Sequence, residues 1–112
     1  MVVLLVDDDA LVLDGMGAML EALGHDVITA PSGTEALKRL ERDEHIEVLL
    51  TDINMPNMSG LELARRAKQL RQSLKVAFIS GRDSPVADVP VLRKPFGETD
   101  LGHVLRAMNV SS

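Results

Sequence analysis

The apolar run Ile46–Leu50 leads straight into Thr51-Asp52-Ile53-Asn54-Met55-Pro56. A run of that kind fits a central strand covered on both sides, and the polar residues after it mark where the strand meets solvent. Two other stretches share this grammar. Val2–Val6 is followed by Asp7-Asp8-Asp9, and Val89–Leu92 by Arg93-Lys94-Pro95. Parallel strands put their carboxyl ends on one edge of a sheet, where the ligand crevices of open α/β sheets lie. Three carboxylates and an ammonium are therefore expected to converge there. Carboxylates that close repel one another and call for a divalent cation, and the lysine suits an incoming phosphate.

The intervening segments supply helices. Leu11, Val12, Met16, Met19, Leu20 and Leu23 keep helical spacing, with Gly24 as a stop. A short strand is expected at Asp26–Ala30. Ser32-Gly33-Thr34-Glu35 and Ser59-Gly60-Leu61-Glu62 read as capping boxes opening the next two helices. Val76–Ser80 reads as a fourth strand and Val89–Leu92 as a fifth, while Leu101, Val104, Leu105 and Met108 mark a last helix. Strand and helix alternate, which points to a parallel sheet covered on both faces. One connection breaks the rhythm. Only Arg82–Asp88, with Pro85 inside it, joins strands four and five, where a parallel crossover normally takes a dozen or more residues. Seven extended residues reach roughly 23 Å, just enough to return along a strand of about 17 Å, so this crossover is expected to be a loop or a single turn.

At 112 residues the chain reads as one domain, residues 1–112. Such a domain buries roughly two-thirds of its unfolded surface and needs no staples. Apolar residues make up 46% and aromatics 2%, so the core is aliphatic; the lack of cysteine excludes disulfide and Cys-metal chemistry and fits a reducing cytoplasm. A net charge of −5 without a basic cluster argues against an autonomous nucleic-acid binder. The densest basic stretch, Arg65-Arg66-Ala67-Lys68, reads as a solvated helix face. No run approaches the ~20 apolar residues of a membrane span, and no signal peptide is evident at the start.

Taken together, the acidic pair after strand one, Asp52 followed by Asn54-Met55-Pro56, the hydroxyl of Ser80 ending strand four and Lys94-Pro95-Phe96 after strand five resemble the receiver domain of two-component signalling, the chemotaxis-regulator type. The likeness runs from Val2 to about Met108. It implies a flavodoxin-like, doubly wound α/β fold with five parallel strands in the order 2-1-3-4-5, here with helix four shortened or absent. It further implies that Asp52 is the phosphoacceptor, a carboxylate acting as covalent nucleophile. Mg²⁺ would be held by Asp8 and Asp52 directly, by Asp7 through water, and by the backbone carbonyl of Asn54. Ser80 and Lys94 would contact the phosphoryl group, Asn54 and Arg82 would tune dephosphorylation, and the Lys94-Pro95 peptide bond is typically cis in the family. The implied partner is a histidine kinase or histidine phosphotransfer protein, with no nucleic acid or membrane bound by the domain itself.

Other residues read more plainly. Asp9 is expected to cap the first helix, Met55, Met58 and Phe96 to pack, and His25, His45 and His103 to lie on the surface, which argues against a histidine phosphodonor. Two departures bear on output. Val91 stands where receivers commonly carry an aromatic residue, and the short Arg82–Asp88 segment replaces most of a helix of the signalling face. Its loss is expected to bare apolar sheet surface near strands four and five, inviting a homodimer through strand four, strand five and the last helix. Two rival functions follow from the residues. A degenerate receiver would serve only for binding or dimerisation. An aspartate-nucleophile phosphohydrolase needs a general acid two residues after the nucleophile, and Asn54 stands there. The domain is thus expected to catalyse only its own phosphorylation and dephosphorylation.

Overall fold

The computed structural model describes residues 1–80, 91–93 and 97–108. Strand β1 (Val2–Val6) leads into helix α1 (Ala10–Ala22), β2 (Asp26–Ala30) into α2 (Gly33–Arg42), and β3 (Ile46–Asp52) into α3 (Gly60–Leu70); β4 (Lys75–Ser80), β5 (Val91–Arg93) and α4 (Glu98–Ala107) complete the described elements. All pairings are parallel, and the sheet order is β2-β1-β3-β4-β5. The expected doubly wound α/β fold is therefore present. The Arg82–Asp88 crossover, and with it the shortening of a helix there, lies outside the described residues, as do Val89 and Pro90.

Strands β1 and β2 occupy the segments expected of them, and β3 runs two residues further, through Thr51 and Asp52. Both are still in register with β4, Thr51 opposite Phe78 and Asp52 opposite Ile79. Polar ends look like loop in a sequence, yet their backbone continues the ladder. Helix starts follow local capping. The side chains of Asp9, Ser32 and Ser59 accept from the amides of Leu11, Glu35 and Glu62, satisfying donors that a helix leaves open at its first turn. Asp100 does the same for α4 by accepting from the Gly97 amide at 3.0 Å, a cap the sequence reading did not single out. Helix α1 ends at Leu23, and Gly24 follows with φ of 93°, a left-handed turn suited to glycine.

Two apolar layers sandwich the sheet. One joins Val3, Leu5, Val48, Leu50 and Ile79 to Met16 and Leu20 of α1 and to Leu101 and Leu105 of α4. The other joins Leu4, Val6 and Leu49 to Ala36 and Leu40 of α2 and to Leu63 and Ala67 of α3. Alternate residues of β1 thus face opposite helical layers, as the two-residue repeat of a strand requires. Met55 and Met58 pack at the edge of the second layer. Phe78 of β4 is 3% exposed and clusters with Ile53 and Ala64. The bare apolar strip expected near β4 is therefore not found among the described residues: Val76 and Val91 are half-buried against that cluster.

At the end of the sheet opposite the acidic run, Arg71 acts as a clamp. Its guanidinium donates to the carbonyls of Leu40, Asp43 and Ile46 at 2.9, 3.0 and 2.7 Å. These are carbonyls at the end of α2 and the start of β3, so one side chain ties both to the end of α3. Truncating it strands three acceptors. We expect Arg71→Leu to lower stability by about 2–4 kcal/mol in urea unfolding, whereas Arg65→Leu on the exposed face of α3 should change it by less than about 1 kcal/mol.

His25 departs from expectation. It is 4% exposed, and neither ring nitrogen has a hydrogen-bond partner among the described residues. The turn it occupies is pulled inward by His25 N–H donating to the Leu20 carbonyl and Asp26 N–H donating to that of Met1. Burial, helped by the N-terminal ammonium and opposed by Asp26, holds the imidazole below its ordinary value of 6.5. The unfolded chain therefore takes up a proton first as the medium is acidified. Stability should be unaffected by this group above pH 6.5 and should fall as pH drops below it. Urea midpoints at neutral and acidic pH should diverge more in the native protein than in His25→Leu, and equal divergence would contradict this assignment.

Candidate functional site

The acidic run and the end of β3 meet because of one register. Val6 of β1 stands opposite Thr51 of β3, so the next residues, Asp7 and Asp52, emerge side by side. Asp8 completes the group: carboxylate oxygens of Asp7, Asp8 and Asp52 lie within 4.8 Å of one another. Asp7 is fully buried and Asp52 7% exposed, while Asp8 is open to solvent. The crevice thus has a closed floor and one open side.

The two buried carboxylates are each turned by the amide two residues further on. Asp7 Oδ1 accepts from Asp9 N–H at 2.9 Å, and Asp52 Oδ1 from Asn54 N–H at 3.3 Å. These short loops are the local geometry Asp favours at strand ends. They orient the acids without neutralising them, and three negative groups at this spacing repel strongly where the floor is dry. The donor set is all oxygen, which suits a hard divalent cation with carboxylate ligands.

The remaining expected residues are placed only in part. Ser80, 2% exposed, follows Ile79, the register partner of Asp52, so its position borders the acidic cluster. On its other side it pairs with Arg93 of β5, the residue before Lys94. Lys94 and Pro95, with the cis peptide expected between them, and Arg82 lie outside the described residues. Asn54 is exposed at the rim. Asp9 takes the capping role expected of it, and its carboxylate accepts from the Leu11 amide at 2.9 Å. His45 and His103 are exposed, as expected.

A residue the sequence reading took only as part of a capping box also shapes this site. Gly60 opens α3, and its N–H donates to the Ile53 carbonyl at 2.8 Å. A Cβ here would run into the Asp52 carbonyl oxygen and stand 2.9 Å from both the Asp52 carbonyl carbon and Ile53 Cα. That same carbonyl accepts from the Thr51 hydroxyl at 3.0 Å. Helix α3 therefore rests directly on the peptide that carries Asp52. Met58, in the intervening loop, lies against Gly33 at the start of α2, its sulfur 2.7 Å from where a Cβ would sit.

A flavodoxin-like α/β domain with an acidic, oxygen-lined crevice at the carboxyl ends of β1 and β3 is the class that fold and site define. The model of the response regulator receiver domain family matches residues 3–106, and the chain belongs to that family. The response regulator receiver protein CpdR of Brucella abortus (strain 2308) is 37% identical over 119 residues, covering 98% of each chain. Response regulator protein TodT of Pseudomonas putida is 32% identical over an alignment of 114 positions that covers 95% of this chain and 50% of that protein. Among solved structures, chemotaxis protein CheY4 of Vibrio cholerae superposes with a TM-score of 0.87 at 26% identity, covering 96% of this chain and 97% of its own. Among the described residues no helix is long and apolar enough to cross a membrane.

The Gly60 contact gives a direct test. We expect Gly60→Ala to lift the first turn of α3 off the Asp52 peptide, costing about 1–3 kcal/mol of stability and weakening divalent-cation binding. Gly15→Ala, at an open position of α1 with no atom within 4 Å, should do neither. Unchanged urea midpoint and cation affinity in Gly60→Ala would show that the close approach is not needed.

Proposed function

We propose that this chain is a phosphoacceptor receiver domain, spanning residues 1–112, which takes a phosphoryl group from a phosphohistidine onto Asp52 and thereby switches a protein-interaction surface. The observation that carries this reading is the meeting of Asp7, Asp8 and Asp52 within 4.8 Å at the edge where Ser80 also ends its strand. Receivers interact with histidine kinases or phosphotransfer proteins, and a partner of that kind in the cytoplasm is the donor proposed here.

Asp8 and Asp52 would hold Mg²⁺ directly, with Asp7 acting through water and the Asn54 backbone carbonyl as a further ligand. When bound, the cation supplies charge stabilisation to the transferring oxygens. Everything else is positioning by the chain. The amide of Asn54 and the seat of α3 under its peptide fix Asp52 for in-line attack. An Asp52 carboxylate oxygen forms a bond to phosphorus as the phosphorus–nitrogen bond of the donor breaks, and the imidazole nitrogen leaves with the electron pair. Lys94 takes the role of pairing with the transferred oxygens, and Ser80 donates its hydroxyl to them. The acyl phosphate carries roughly −1.5 to −2 charges in place of the single charge of the Asp52 carboxylate, which biases the surrounding loops between two arrangements. Water then hydrolyses the acyl phosphate, with Asn54 and Arg82 at the positions that tune this step. The chain's catalysis is confined to its own modification.

The decisive experiment is intact-mass measurement after incubation with Mg²⁺ and acetyl phosphate. The native protein should gain one phosphoryl group, and Asp52→Asn or excess EDTA should abolish the gain. No gain in a folded protein that still binds Mg²⁺ would reject the phosphoacceptor reading in favour of a binding module.

A further inference from the structure

The charges of this protein are sorted between its two helical layers. Helices α2 and α3, packed together on one face of the sheet, carry Lys38, Arg39, Arg42, Arg65, Arg66 and Lys68 against three acids, Glu35, Glu41 and Glu62. Those six cations are half of the chain's 12 lysines and arginines. The opposite layer, α1 and α4, carries four acids, Asp14, Glu21, Glu98 and Asp100, against the single Arg106. A protein of net charge −5 thus presents one cationic face.

On that face the positive charges outrun their partners. Arg39 and Arg42 are exposed and form no hydrogen bond or ion pair among the described residues. Arg65 and Arg66 both engage one carboxylate, Glu62, and their pairing holds its pKa down at about 2. Two guanidiniums therefore share a single negative charge. On α3, one turn before Arg65 and one turn after Arg66, stand two exposed apolar side chains, Leu61 at 38% and Leu70 at 52% exposure. Arginine is enriched at recognition surfaces, whereas lysine and glutamate are depleted there. The face is also pre-organised, since Arg71 locks the carboxyl ends of α2 and α3 together through the Leu40 and Asp43 carbonyls. Little conformational freedom would be lost when a partner docks.

We propose that the α2–α3 face is a docking surface for an acidic segment of another protein, a short stretch in which Asp and Glu alternate with apolar side chains. Charge complementarity selects the acid, and Leu61 and Leu70 select the apolar element. A long polyanion such as RNA is disfavoured, because past this one patch it meets the repulsive field of an acidic molecule.

Fluorescence anisotropy of a labelled Asp/Glu/Leu peptide with the full chain tests this. At low salt we expect saturable binding that weakens steadily as salt is added. Arg39→Glu/Arg42→Glu should loosen it by about tenfold or more, and Arg106→Glu on the opposite layer should leave it unchanged. Arg39→Gln/Arg42→Gln serves should charge reversal unfold α2, and it should loosen binding in the same direction. Absence of saturable binding, an equal effect of Arg106→Glu, or tighter binding of an oligouridylate than of the peptide would each overturn the proposal.

Discussion

The register of β1 against β3 is the constraint from which the rest of this structure follows. With Val6 opposite Thr51, the chain delivers Asp7 and Asp52 to adjacent positions with no adjustable loop between sheet and carboxylate. A slip of one residue would send every side chain of β1 to the other face, exchanging Val3 and Leu5 with Leu4 and Val6 between the two apolar layers. The hydrophobic core and the acidic crevice are therefore set by the same pairing. Core packing holds the carboxylates in a proximity their own electrostatics oppose.

That opposition explains how the molecule is divided. Near the acidic edge, backbone is fitted closely around Asp52: Gly60 beneath its carbonyl, the Thr51 hydroxyl on that same oxygen, and the Asn54 amide on its carboxylate. At the other end Arg71 gathers three carbonyls from α2, its cap and β3, and the buried His25 is tied by its backbone N–H to the Leu20 carbonyl at the end of α1. The base of the sheet is thus fastened by groups with no place in the crevice.

Much of this was legible from local signals. Strands β1 and β2 and the caps at Asp9, Ser32 and Ser59 depend on residues within a few positions of one another, and sequence reading found them. The acidic cluster was legible because parallel strands share an edge, which turns three separated motifs into one place. What escaped depends on tertiary approach. His25 looks like a turn residue beside Gly24, and its burial is set by tertiary packing that no local pattern reveals. Gly60 looks like an ordinary second residue of a capping box, since nothing local reveals that α3 will seat on the Asp52 peptide. Thr51 and Asp52 look like loop because their polarity hides a backbone still paired with β4.

The cationic face shows the same limit from another side. Arg65-Arg66-Ala67-Lys68, read alone, is a solvated helix surface, and Lys38-Arg39 read alone is another. Their sum acquires meaning only when α2 and α3 pack side by side and Arg71 closes their ends. Helix dipoles account for part of the pattern, because cations are favoured in last turns, and Arg39, Arg42 and Lys68 stand there. They do not account for Arg65 and Arg66, which lie a turn earlier and crowd a single acid. Nor do they account for the opposite layer, where the last turn of α1 has no cation at all. A dipole-driven distribution would treat the four described helices alike, so dipoles by themselves leave the asymmetry between the layers unexplained.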